Sequence, residues 1–240
     1  MSILPIDTGR YGTKEMLDIF REQKKIDYQL DIEAAAALSQ SEIGLIPLSI
    51  ARDISKIAKS GKITAKRIKQ LEAKSDHDTA ALVEALAEKC NKESRPWIHY
   101  GLTSNDLVDT SNSMQMRDAI KIIQPKVSKL SLILAKNAVK HKSVPAVGRT
   151  HGQHASIISF GLKFANWAAE MSTHLERLDE IKKRVLICKT LGVVGTGSLM
   201  GKNAVKVQER VAKKLGLYSA KVTTQIIPRE RYAEYIFQLA

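Results

Sequence analysis

From Ile157 to Leu186, apolar side chains recur every three or four residues: Phe160, Phe164, Trp167, Met171, Leu175, Leu178, Ile181 and Val185. That spacing marks one face of an α-helix, and at 1.5 Å per residue the segment is roughly 45 Å long. Helices of this length pack in elongated bundles, with a second apolar stripe left for another subunit. The chain is therefore expected to be all-α. Its hydrophobic content of 44% is enough for a core, and aromatics at only 5% favour aliphatic helix packing over a β-sandwich.

The remaining patterns agree. Helical spacing runs over 13–41, ending in Ala34-Ala35-Ala36-Ala37-Leu38. Pro47 precedes an amphipathic stretch that stops at Gly61, and Thr64 is placed to cap a helix through residue 73. A further helix spans 78–90. A polar break at Asn91–Pro96 sets the expected domain boundary, with an N-terminal helical domain over 1–95 and a long-helix bundle domain over 96–240. From Asn105 a helical pattern reaches His141, with Pro125 expected to kink or split it because proline removes a backbone donor. Leu191–Gly197 reads as a glycine-rich extended segment, 203–215 as a helix, and a last helix begins near Arg229 and is still running at Ala240. That ending is expected of a truncated bundle domain.

Several functional classes are disfavoured. No apolar run approaches the roughly twenty residues of a membrane span, and the start Met1-Ser2-Ile3-Leu4-Pro5 lacks the features of a signal peptide, so a cytoplasmic protein is expected. Cys90 and Cys188 sit in apolar runs and read as buried thiols. No CxxC or HExxH spacing supports a metal, and Leu191–Gly197 is not followed by the Gly-Lys-Ser/Thr of a phosphate-binding loop. The net charge of +13 could mark a nucleic-acid surface. Basic and acidic residues alternate, however, as in Arg177-Leu178-Asp179-Glu180-Ile181-Lys182-Lys183-Arg184. A solvated exterior that favours anionic substrates is the better reading.

Four clusters are too polar for plain helix connectors: Arg10-Tyr11-Gly12, Ser75-Asp76-His77-Asp78, the run Trp97–Asp106, and Gly148-Arg149-Thr150-His151-Gly152-Gln153-His154-Ala155. Each has a bland reading. The first is a lead-in. In the second, Ser75 or Asp76 caps the next helix with His77 in its first turn, and in the third Thr103 and Ser104 act as caps. Yet His99 and Tyr100 are surplus to capping, and nothing in helix packing calls for the fourth. Helix starts offer unpaired donors to carboxylate or phosphate. The hydroxyls of Thr103, Ser104 and Thr150 would add to them, and a histidine can move a proton near neutral pH. Two such starts with several histidines suggest acid–base chemistry on a polyanionic small molecule, with no metal or nucleotide cofactor.

At these residues the chain resembles the aspartase/fumarase superfamily, and within it the adenylosuccinate lyases. The resemblance rests on Ser75–Asp78, on His99-Tyr100-Gly101-Leu102-Thr103-Ser104-Asn105-Asp106-Leu107-Val108-Asp109-Thr110, on Gly148–Ala155, on Arg10-Tyr11, and on Thr224-Gln225-Ile226-Ile227-Pro228-Arg229-Glu230-Arg231. It implies a fumarase-like fold and elimination of fumarate from adenylosuccinate and from succinylated aminoimidazole carboxamide ribotide, without a cofactor. It also implies a homotetramer with active sites built from three chains. His151 would be the acid and Thr150 a partner of the fumaryl carboxylate. Thr103 and Ser104 would hold carboxylate, Gln225 the succinyl portion, and Arg10 and Tyr11 the nucleotide phosphate. His77 and His99 would be phosphate-side or positioning residues, with Asp78 also in the substrate site and His77 open to a share in proton transfer.

One departure is large. The family's Gly-Ser-Ser-x-Met-Pro-x-Lys-x-Asn-Pro loop, which supplies a serine base, has no counterpart here; Gly197-Ser198-Leu199-Met200-Gly201-Lys202 is a coincidental echo. The 240 residues alone are therefore expected to be inactive and prone to aggregate or to form a non-native oligomer. Two alternatives stand beside this reading: another lyase or cycloisomerase of the superfamily, and a non-catalytic basic helical binding module.

Overall fold

The computed structural model describes residues 10–240. Its contacts fall into two compact units, one of the described residues up to Ala119 with Lys183–Ala233, the other of Ile120–Lys182 with Glu234–Ala240. The sequence boundary at 95/96 falls inside the first unit. The fold is helical, as expected, with two short pairs of strands.

In the first unit the 13–41 pattern resolves into α1 (Lys14–Phe20) and α2 (Glu22–Ser41). They part at Arg21, whose extended backbone (ψ 145°) interrupts the helix. α2 is buried nearly all round: Leu30, Ile32 and Ala34–Ala37 are accompanied inward by Gln29, Glu33, Ser39 and Gln40. A helix without a polar face is a central one, and α3 (Leu48–Ala58) and the later helix α8 (Ala204–Leu215) pack on it. The Thr64 cap is present, its hydroxyl accepting from the Arg67 N–H at 3.3 Å ahead of α4 (Ala65–Ser75). The next helix, α5, covers Asp78–Ala87, and the polar break forms a 3-10 turn at Lys92–Trp97.

Val207, Val211 and Leu215 line the buried side of α8. Gly216 closes that helix in left-handed conformation, and the Leu217 N–H reaches the Ala212 carbonyl at 2.9 Å. Beside it, β3 (Ile187–Cys188) and β4 (Tyr218–Ser219) run parallel. Gly192, Gly195 and Gly197 all have positive φ. The 191–197 segment is therefore a succession of turns rather than the extended stretch expected from its glycines.

The long helix α6 (Ser104–Lys140) carries Pro125 without being split. In the second unit its later part faces α7 (Phe160–Val185). Contacts pair Gln124 with Asp179, Ser131 with Ala168 and His141 with Phe164. Numbers rise on one helix as they fall on the other, so the two are antiparallel. Gly161 makes the close approach possible, since a Cβ there would lie 2.4 Å from the Ala138 carbonyl oxygen.

Between these helices stands the main correction. Residues 148–155 are neither a loop nor a helix start, but most of a hairpin of β1 (Pro145–Thr150) and β2 (Gln153–Ser159), paired antiparallel. Its two-residue turn, His151-Gly152, has φ of +50° and +74°, the pattern of a type I′ hairpin turn. Val147, Ile157 and Ile158 have the branched side chains that strands accept well, so α7 begins at Phe160 rather than Ile157.

The second unit leaves much apolar surface open. Leu130, Leu132, Ile133 and Val139 on α6, Leu162 and Trp167 on α7, and Ile236 and Phe237 on α9 (Glu230–Leu239) are all exposed. Leu178 and Ile181 are buried. No helix among the described residues is long and apolar enough to cross a membrane.

Candidate active site

The first unit gathers His77, His99, Thr103 and Ser104 around one hollow of about 380 Å³, floored by Leu102 and Val83. A second hollow of about 440 Å³ shares His77 and Ser104 and adds Asp78, Asp76 and Asn105. Five of the expected site residues thus meet, drawn from two segments more than twenty positions apart.

His77 arrives there as the cap of α5 itself. Its Nδ1 accepts the Ala80 N–H at 3.2 Å, whereas Asp76 ends the preceding helix in left-handed conformation. The cap was expected from Ser75 or Asp76. Asp76 is consumed in closing α4, so the next side chain takes the role. Because Nδ1 accepts, the proton of the neutral ring sits on Nε2, away from the helix. Asp78 turns back on Thr79, its Oδ1 2.6 Å from that residue's N–H.

Thr103 and Ser104 begin α6. The Asp106 carboxylate accepts the Thr103 N–H at 3.0 Å while the Asp106 N–H bonds the Thr103 carbonyl at 2.9 Å, a reciprocal cap. The first-turn N–H groups that follow have no helix carbonyl beneath them. Asp106 is also bonded by the Gly192 N–H at 2.9 Å and by the Lys189 ammonium, with both charged side chains wholly buried. Burial pushes the Asp106 carboxyl above its usual range, and Lys189 and the two N–H groups pull the other way.

His99 has a left-handed backbone, φ +62°. Its Nδ1 lies 2.6 Å from Glu33 Oε1, and Glu33 Oε2 accepts the His99 N–H at 3.0 Å. Burial lowers the proton affinity of this imidazole, but the Glu33 hydrogen bond and the Glu33 and Asp106 charges outweigh it, so the net shift is upward. Gly101 turns tightly beside it, where a Cβ would come within 3.1 Å of Met200.

The other expected residues are not among those lining these two hollows. Gln225 belongs to the stretch before α9, which Asp109 anchors by accepting the Ile227 N–H at 2.7 Å, an Arg229 N–H at 2.7 Å and the Tyr232 hydroxyl at 3.1 Å. Arg10 lies 5.3 Å over the ring of the exposed Tyr11. Thr150 and His151 are on the hairpin of the second unit, where Thr150 lines a hollow of about 530 Å³ with Arg149, Ser156 and Lys163. Thr150 itself ends a strand rather than lying at a helix start.

Sequence reasoning passed over Glu33, Asp106, Asp109 and Lys189. Three of them carried a signal. Asp106 and Asp109 share a helix face with Leu107 between them, and Lys189 interrupts the apolar run Leu186–Leu191. A charge placed there must be paired. Among the described residues, no cluster of His, Cys, Asp or Glu is placed to hold a metal ion.

Residues 9–240 match the family described as Lyase. The chain belongs to that lyase family. Its relatives include proteins named adenylosuccinate lyase from Methanocaldococcus jannaschii, 45% identical over all 240 residues and 52% of that protein, and from Pyrococcus abyssi, 41% identical over all of this chain and 53% of that one. The chain spans about half the length of the curated relatives it matches. Among solved structures, a fumarate lyase from Mesorhizobium sp. BNC1 superposes with a TM-score of 0.88 at 30% identity, covering 95% of this chain and 55% of that one. The β-carboxy-cis,cis-muconate cycloisomerase of Acinetobacter calcoaceticus gives 0.87 at 28%, with coverage of 95% and 54%. The lyase family and the helical fold expected of it are thus established.

Proposed function

We propose that this chain is the N-terminal portion of an adenylosuccinate lyase, which eliminates fumarate from adenylosuccinate to give AMP and from the succinylated aminoimidazole carboxamide ribotide of purine synthesis. The observation that carries the reading is the hollow where His77, His99, Thr103 and Ser104 converge on the start of α6. Identity of 40–45% over all of this chain, to about half the length of proteins named adenylosuccinate lyase, supports it.

In this reaction a base removes the proton beside a carboxylate, and the C–H electron pair is first held as a carbanion delocalised into that carboxylate. The pair then forms the C=C bond as the C–N bond breaks, its electrons leaving with the nitrogen, which an acid protonates. We assign the acid to His151, which occupies the exposed hairpin tip, and the carboxylate grip to Thr103, Ser104 and Thr150. Gln225 would meet the succinyl group, Arg10 and Tyr11 the phosphate, and His77 and Asp78 the substrate beside them. His77 presents Nε2–H and is the second candidate for proton transfer. No cofactor is needed, since every step moves protons and electron pairs between side chains and substrate. The base is assigned by resemblance to a serine loop outside these 240 residues, so the chain alone should be inactive. The open apolar faces of α6, α7 and α9 support assembly into a homotetramer. We also retain 95/96 as the limit of the N-terminal domain and the cytoplasm as the location.

The test is fumarate release from both succinyl substrates by the product of the whole gene, beside the 240-residue chain and His151→Asn. Turnover by the gene product alone is the expected result. Turnover of a carboxymuconate instead would establish the cycloisomerase reading, and an active 240-residue chain would overturn the assignment of the base.

A further inference from the structure

One buried charge beside the hollow has no part in the proton transfers just described. Glu33 sits in the middle of α2 and is 2% exposed. Both its oxygens are committed to His99, one to the backbone N–H at 3.0 Å and one to Nδ1 at 2.6 Å. The first bond fixes the left-handed turn at His99, and the second pairs the buried carboxylate and orients the ring. The carboxylate occupies the Nδ1 edge from inside the protein, and His99, about a fifth of whose side chain is exposed, lines the hollow.

We propose that Glu33 is a positioning residue that holds His99 as a charged donor, Nε2–H turned into the hollow, for an anionic group of the substrate. The inference rests on the reading of that hollow as the substrate site. A charged imidazole suits a carboxylate or a phosphate, as do the neighbouring hydroxyls of Thr103 and Ser104. The groups around His99 are Glu33 from α2, Asp106 from α6 (itself paired with Lys189), and His77 from the start of α5. Two carboxylates against burial leave the imidazole more basic than an isolated one. An ordinary imidazole loses its charge near pH 6.5, whereas this one keeps it to higher pH.

The test compares Glu33→Gln and Glu33→Asp with the unaltered product of the gene. Glutamine keeps the shape and can still accept the His99 N–H, so the turn survives while the charge is lost. Inorganic phosphate and fumarate, titrated separately, report which anion is held. For that anion, Glu33→Gln is expected to bind about tenfold more weakly near pH 8, because each unit lost in the imidazole pKa lowers the charged fraction about tenfold. At acid pH, where protonation of the imidazole is favoured with or without Glu33, the loss should be smaller than near pH 8. Glu33→Asp should keep most of the affinity at both. The imidazole Cε1–H resonance of His99, identified through His99→Gln, should titrate at lower pH in Glu33→Gln. An equal loss at both pH values, or an unmoved His99 titration, overturns the proposal. Neither readout depends on turnover. An enzyme inactive on both succinyl substrates that still shows the pH-dependent loss refutes the lyase reading and leaves the Glu33–His99 pair intact, and the converse refutes only the pair.

Discussion

Replacing Lys189 with methionine isolates the strongest electrostatic commitment in the first unit. The Lys189 and Asp106 side chains are both entirely buried, and their ion pair sits under the start of α6. Methionine fills the stem volume but leaves the Asp106 carboxylate with only the Thr103 and Gly192 N–H groups. A buried charge stripped of its partner costs about 3–5 kcal/mol. Asp106→Asn should cost a similar amount, because the buried ammonium would keep little beyond the Gly192 carbonyl at 3.4 Å. The double variant should lose less than the sum by roughly 2 kcal/mol or more, since neither charge is then stranded. The pH dependence follows from the direction of the Asp106 shift. A carboxyl raised in the folded protein binds more protons folded than unfolded. Its ionisation therefore weakens folding as pH climbs from the unfolded value through the folded one. Lys189 opposes that shift, so the penalty of Lys189→Met should be small at acid pH, where the carboxyl is protonated, and grow as pH rises above the ordinary carboxylate range. Urea unfolding followed by far-ultraviolet circular dichroism measures it. A loss under about 1 kcal/mol, or one that does not change with pH, would refute the reasoning.

Asp109→Ala removes the acceptor for Ile227, Arg229 and Tyr232 at once. It should cost about 3 kcal/mol and expose residues 221–229 to limited proteolysis. Gly195→Ala would place a Cβ 2.2 Å from the Thr223 carbonyl oxygen at φ +77°. Both the overlap and the backbone oppose it, and thermal unfolding should show a loss above about 2 kcal/mol. At the hairpin tip, asparagine accepts left-handed backbone readily, so His151→Asn should leave the unfolding midpoint unchanged. Fumarate release by the full gene product should fall about 10²–10⁴-fold; a fall with a matching loss of stability would argue for a structural role. Burial pushes the Cys90 and Cys188 thiols up to about 12, so neither should react with a thiolate-selective reagent at pH 8 until the protein unfolds.

The helices were legible because each repeats a local rule. Thr64 caps where a threonine before a periodic run should, Pro47 precedes α3, and α8 stops at Gly216. The stripe of α7 was read correctly in its middle and wrongly at its start. Ile157 and Ile158 fit the periodicity, but they belong to a strand whose partner, Ala146-Val147, precedes a turn that only His151 and Gly152 reveal. Period alone does not distinguish a short apolar strand from the first turn of a helix. The polar cluster at 97–106 could be picked out because it exceeded what capping needs, whereas 75–78 is spent on capping itself. Glu33 could not, because its only distinguishing partner lies 66 residues away, and in sequence it is one more acid at the edge of an alanine run.

The chain has two tryptophans, and they fall one to each unit. Trp97 is half-buried with its ring 5.3 Å from that of Tyr100, next to His99. Trp167 lies beside Phe164 on the open face of α7, about half exposed. The protein therefore carries its own pair of optical probes. With Trp167→Phe, the remaining emission reports on the neighbourhood of the hollow and should respond when an anion enters. With Trp97→Phe, it starts red-shifted in water and should move to the blue, with less quenching by iodide, whenever something covers that helix face. Ligand binding and surface burial can thus be followed in one cuvette without a label.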